Sequence, residues 1–221
     1  MEQIVSELFS QYAYSPMLVY GAIVLFMMMS AFGLPIPEEV VLISAGFIGY
    51  MSLHPDKFPP PYPGAPSVNV HVLAFVALAA VMGSDYLIYY LGERFGPKLF
   101  KMRWFARLVS EASLEKIQRW TRKHGYWAVF VFRFTPGVRF PGHLMCGAMG
   151  LSRWKFLGVD AIAAGISVPT QILLVSTYGE VIYDSLLKFK QYVFIGGGCA
   201  LIIWFAYKMY QRRAIKSLSA K

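Results

Sequence analysis

Four apolar runs, residues 17–34, 68–91, 156–178 and 192–207, decide what this chain can fold into. Each reaches or approaches the ~20 residues that an α-helix needs to cross the hydrocarbon of a bilayer. Hydrophobic residues make up 57% of the 221 and charged residues 15%, with a mean hydropathy of +0.48. That balance is not a soluble one, and the length allows one ordinary domain. The reading is an all-α integral membrane protein. The start, Met1-Glu2-Gln3, has no basic residue before its first apolar run, which argues against a cleaved secretory signal.

The net charge of +9 is unevenly placed. Lys57 is the only Lys or Arg in the first 93 residues, whereas 92–125 holds nine and the tail from Lys208 holds five. Lys and Arg concentrate in cytoplasmic loops, so both basic segments are expected in the cytoplasm, with the N-terminus outside and the C-terminus inside. The expected partners of this rim are anionic lipid headgroups at the cytoplasmic face, not nucleic acid. Cys146 and Cys199 both sit in apolar surroundings. Neither a disulfide framework nor a metal-ligand spacing is present, and no cofactor is expected.

In chain order, residues 1–16 suit an interfacial helix ended by Pro16. Residues 17–53 run apolar, break at Gly33-Leu34-Pro35-Ile36-Pro37, pass Glu38 and Glu39, and run apolar again. Two short arms around a Pro-rich acidic tip read as a re-entrant hairpin. One spanning helix, a loop and a second helix is the alternative, for which the second arm is short. Six prolines make 54–67 an extended external loop. A spanning helix is expected over 68–91, with Asp85 placed toward the membrane edge by a belt of Tyr86, Tyr89 and Tyr90. The cytoplasmic segment 92–125 ends in an amphipathic helix capped by Ser110 and stopped by Gly125. A second hairpin, 126–151, a spanning helix, 156–178, and a last spanning helix with a basic tail, 190–221, complete the chain. A hairpin and helix entering from outside (17–91) and another entering from inside (126–178) form an inverted-repeat, transporter-like arrangement of two opposed hairpins.

The second tip carries the most costly residues. Arg133 and Arg139 flank Pro136-Gly137 inside an apolar stretch, and at membrane depth a guanidinium is expensive unless paired, hydrated or beside a cavity. If the tips meet, Glu38 and Glu39 face the two arginines, with Asp85 as a further acid. Mutual pairing that only holds the hairpins together is one reading. An anion site is the other, because the planar fork of Arg matches phosphate with two parallel hydrogen bonds. Carboxylates in low dielectric take up protons near neutral pH, which assigns Glu39 or Asp85 to proton coupling. His143 is read as a packed or hydrogen-bonded tip residue.

Pro35-Ile36-Pro37-Glu38-Glu39-Val40, Gly83-Ser84-Asp85 with Tyr89 and Gly92, and Phe132-Arg133-Phe134-Thr135-Pro136-Gly137-Val138-Arg139 with Gly147 and Met149 resemble the DedA family, also called the SNARE-associated or VTT-domain family. The likeness covers residues 15–180 and is most specific at the arginine motif. It implies two opposed re-entrant hairpins, with Glu39, Asp85, Arg133 and Arg139 as the functional charges, in a bacterial inner-membrane protein. It further implies proton-dependent transport, or movement of undecaprenyl phosphate or phosphatidylethanolamine between leaflets. Many members carry another acid where this chain has Met27-Met28-Met29, and the usual Trp of the later helix is replaced near Pro169. The expectation is a transporter of a lipid phosphate, foremost the undecaprenyl-phosphate carrier. The alternatives are a phosphatidylethanolamine flippase or scramblase and a small-ion transporter. An enzyme is not expected: Pro141-Gly142-His143 matches part of a phosphatase motif but lacks its serine, and no His follows Ser152-Arg153. A scaffold docking through the basic helix or the Pro-rich loop is a further alternative. The run Gly196-Gly197-Gly198 permits close helix packing within a chain or in a homo-oligomer.

Overall fold

The computed structural model describes residues 11–32, 37–100, 110–135 and 137–181, save the side chains of Pro97 and Leu99. Most of the expected interfacial helix 1–16, part of the first tip, Pro136 and the expected last span 190–221 lie outside the described residues. Residues up to Thr177 form one compact unit and Tyr178–Lys221 a second. The packing and the site below belong to the first.

Among the described residues the chain is all-helical, without strands. Helix α1, Pro16–Ala31, begins at a proline whose missing N–H costs nothing in a first turn. Val19, Ile23, Met27 and Ala31 recur every four residues, form one buried stripe, and leave Leu25 and Phe26 exposed. Helix α2, Glu38–Leu53, starts after Pro37 and has two acids in its first turn, where the helix dipole favours negative charge. Both helices have 16 residues, about 24 Å of rise, short of a full hydrocarbon crossing.

The loop that follows is tied down rather than free. Val68 N–H donates to Ala13 O at 2.8 Å, and the Tyr14 hydroxyl donates to Phe58 O at 2.5 Å. Asn69 Oδ1 accepts from the backbone N–H groups of His71 and Val72 at 3.0 and 3.2 Å and so caps α3, Val70–Leu99.

Helix α3 continues past residue 91, where the sequence reading ends it. Gly92 does not break the helix; it brings α3 against α6, Arg139–Ala148. A Cβ on Gly92 would stand 2.0 Å from the Leu144 carbonyl oxygen, and one on Gly147 would stand 1.9 Å from that of Tyr89. Two backbones this close admit no side chain between them. Between α3 and α6 in the chain come α4, Glu111–His124, and α5, Trp127–Arg133. Ser110 Oγ accepts from Ser113 N–H at the start of α4, and Gly125, at φ +56°, ends it. The last described helix is α7, Arg153–Val181; it and Val70–Gly96 of α3 are long and apolar enough to cross a membrane.

The core has two main parts. Val19, Ile23, Leu42, Leu73, Val81, Ala164 and Ile172 join α1, α2, α3 and α7. Tyr89, Ile117, Val129, Phe132, Met145 and Phe156 join α3 to α7. On α3, Ser84 and Asp85 fall between Val81 of the first part and Tyr89 of the second. On α7, Asp160 falls between Phe156 and Ala164. The polar residues therefore sit where two apolar cores meet.

Candidate functional site

The site begins with a turn. Helix α5 ends at Arg133 and α6 begins at Arg139, so both guanidiniums flank one reversal of the chain. Gly137 makes the turn in the left-handed region, φ +74°, which only glycine occupies without strain. Thr135 N–H to Phe132 O and Val138 N–H to Thr135 O, each 3.2 Å, satisfy the backbone around it.

Both arginines point into the protein. Arg133 is 8% exposed, and its Nη1 donates to Asp85 Oδ2 at 2.6 Å and to Asp160 Oδ1 at 3.4 Å. Its Nη2 donates to Glu38 Oε1 at 3.0 Å and its Nε to Ser167 Oγ at 3.0 Å. Arg139 reaches the same carboxylates from the other side of the turn. Its Nε and Nη2 meet Asp85 Oδ1 at 2.8 and 2.7 Å, its Nη2 donates to Ser84 Oγ at 3.2 Å, and its Nη1 pairs with Glu38 Oε2. Asp85 is fully buried and so takes ion-pair contacts from both arginines. It also lies 3.0 Å from His143 Nδ1. An ionised carboxylate only accepts, so Nδ1 carries a proton, and in the neutral imidazole Nε2 then keeps its lone pair. The His143 ring stands edge-on to Phe156, centroids 5.2 Å apart, and is completely buried.

The structure thus brings together Arg133, Arg139, Glu38 and Asp85 of the residues singled out in the sequence. Glu39 is exposed at the start of α2 and makes no contact in this cluster. The helix turns 100° per residue, so of two adjacent glutamates only one can face the arginines. Asp85 is fully buried within the protein, and Tyr89 is buried as well, its hydroxyl donating to Leu151 O, so Tyr89 faces the core. Asp160, Ser84 and Ser167 were not singled out. Asp160 carries a signal that the arginine criterion would have caught, an acid inside the apolar run 156–178.

One donor atom each from Asp85, His143 and Asp160 lies within 4.8 Å of the other two, a spacing that a cation can use. The donor chemistry fits poorly, however. Asp85 Oδ1 already accepts from Arg139 and His143 and Oδ2 from Arg133, and the two guanidiniums on the same carboxylate repel a cation.

Among the described residues, the all-helical fold, two helices of membrane-spanning length and a buried, interlocked charge cluster fit a membrane protein with a polar centre in its interior. The chain belongs to the VTT-domain family, whose model matches residues 36–179. It is 32% identical over 156 residues to an uncharacterized membrane protein of Haemophilus influenzae, covering 70% of this chain and 68% of that one. An uncharacterized membrane protein of Bacillus subtilis is 23% identical over 164 residues, 73% of this chain and 86% of the other. One from Mycobacterium tuberculosis is 34% identical over 99 residues, 44% of this chain and 43% of the other. No solved structure matches the chain.

Proposed function

We propose that the chain is a transporter that moves a lipid phosphate between the leaflets of a bacterial inner membrane, without covalent chemistry. One observation carries the reading: two arginines on either side of a helix break, Arg133 buried and Arg139 partly buried, each shared between the same two carboxylates, Glu38 and Asp85. A phosphate offers the same planar pairs of acceptors as a carboxylate, so a headgroup can replace Glu38 or Asp85 on the guanidinium forks. Every carboxylate that takes a proton releases an N–H pair for that exchange. Proton uptake and headgroup binding thereby become linked steps.

A groove of about 470 Å³ between α1 and α2, lined by Leu18, Ile23, Phe26, Val41, Ala45 and Ile48, favours a lipid over a small anion. Val40, in the first turn of α2 two residues after Glu38, also lines it. In this reading α1 with α2, and α5 with α6, are two re-entrant hairpins inserted from opposite faces, and the halves form an inverted repeat. The family resemblance puts undecaprenyl phosphate first among cargoes and phosphatidylethanolamine second.

The experiment is leaflet exchange of each labelled lipid in proteoliposomes, with and without a proton gradient, for the natural chain, Arg139→Lys and Arg139→Gln. Exchange of one lipid that Arg139→Gln abolishes supports the reading and names the cargo. Equal exchange by all three folded proteins would overturn it.

A further inference from the structure

The formal charges of the cluster do not cancel. Glu38 from α2, Asp85 from α3 and Asp160 from α7 supply three carboxylates. Arg133 from α5 and Arg139 from α6 supply two guanidiniums. With His143 neutral the sum is one negative charge, in a place where Asp85, His143 and Asp160 have no exposed surface at all. The other groups near the imidazole add nothing at neutral pH. Ser84 is a hydroxyl, the buried Cys146 is a turn further along α6, Thr121 is the buried polar group of α4, and the Tyr89 hydroxyl is committed to Leu151 O. An uncompensated charge this deep is strongly disfavoured.

Two atoms mark where compensation belongs. His143 Nε2 and Asp160 Oδ2 are buried and have no hydrogen-bond partner among the described residues. Both are acceptors, since Nδ1 has the imidazole proton. Glu38 Oε2, the third buried oxygen without a hydrogen bond, is held in an ion pair by Arg139, so these two acceptors are where a proton is wanted, and one proton also brings the cluster's charge to zero. We propose that His143 and Asp160 form the proton-binding site of this cluster, holding one exchangeable proton on Nε2 or Oδ2, in place of the exposed Glu39. Uptake takes H⁺ from water and weakens the Asp160 contact with Arg133, which loosens that guanidinium N–H; release returns the proton to water and leaves a neutral imidazole and a carboxylate. The site itself needs no assumption about cargo, but its coupling to lipid movement rests on the transport reading above.

The test uses the full chain in liposomes and pH-difference infrared spectroscopy of the natural protein, His143→Gln and Asp160→Asn. The expected result is one group of carboxyl and imidazole bands that changes with pH, is removed by Asp160→Asn, displaced in pH by His143→Gln, and insensitive to sodium. Asp160→Asn leaves two carboxylates against two guanidiniums, so it should fold, and its helical circular dichroism checks this. Identical spectra for folded Asp160→Asn and the natural protein would overturn the proposal, as would bands that sodium removes at constant pH, which would identify a cation site. Lipid exchange in the same liposomes separates the two readings. On one side of the transition the natural rate should change about tenfold per pH unit, and the His143→Gln rate less than about twofold. Titration without lipid exchange would remove the transport reading and leave the proton site standing; Arg139-dependent exchange with no titrating group would do the reverse.

Discussion

Arg133 touches three carboxylates and a serine. Arg133→Met keeps most of the side-chain volume but leaves three carboxylates against one guanidinium. Removing one partner of a buried charge set costs about 3–5 kcal/mol, so the melting temperature in detergent at neutral pH should fall steeply. The sign with pH is defined: protons neutralise the excess negative charge, so the loss should shrink on acidification. A deficit that is the same at both ends of the pH range would mean that packing, not charge, is what Arg133 provides. The glutamate pair gives a second residue-scale prediction. Glu38→Gln should abolish lipid exchange, and Glu39→Gln should leave it within about twofold, because a solvated carboxylate contributes little to a buried network. The sequence shows that charges at membrane depth are costly, and this is how Arg133, Arg139 and Asp85 stand out in it. It does not show which of two adjacent glutamates faces inward, since that depends on where α2 begins. The link of Asp160 to Arg133 spans 27 residues, a relation that only folding creates.

At the scale of elements, the close pairing of α3 with α6 positions the cluster. It sets Asp85 opposite Arg139 and His143, and it depends on Gly92 and Gly147. Gly147→Ala would place a methyl 1.9 Å from the Tyr89 carbonyl oxygen, so the helices must separate. Overpacking of this kind costs about 1–3 kcal/mol, and the separation should also lengthen the Asp85 contacts. Lower thermal stability and slower lipid exchange together are the expected outcome for Gly147→Ala. Gly165 on α7 is the comparison, since a methyl there meets nothing within 4 Å. Gly165→Ala should be neutral or stabilising by up to about 1 kcal/mol, the usual gain in helix propensity. If the two variants melt alike, the α3–α6 approach is not what holds the site. Helix breaks are readable in sequence because proline and glycine act locally, as at 134–138. The extension of α3 to Leu99 is not, because Gly92 is a breaker in isolation and a packing surface once α6 is present.

For the whole molecule, the distribution of charge and of exposed apolar side chains predicts an orientation. Trp127 and Trp154, 72% and 83% exposed, lie beside the basic α4 and Arg153, where an aromatic belt meets the headgroups. Leu25, Phe75, Ile162, Ile166 and Leu174 are exposed along helices with no charge next to them, which suits a lipid-facing surface. The loop 54–69 has one basic residue and α4 has four Lys or Arg, so the two should lie on opposite faces of the membrane. Asp56 and Ala112 are exposed, one in each segment. In a chain with Cys146 and Cys199 replaced by alanine, Asp56→Cys should react with a membrane-impermeant maleimide added to intact cells. Ala112→Cys should react only after the membrane is opened. An α3 that spans the bilayer requires this difference, because the two positions lie on either side of it in the chain. Labelling of both from one face would mean that α3 does not cross. The opposed insertion of α1–α2 and α5–α6 would then fail, and with it the geometry that lets one buried cluster be reached from both leaflets. Labelling from opposite faces, with exchange that still depends on Arg139, would place the two-arginine turn between the two aqueous phases, where a translocated phosphate must pass.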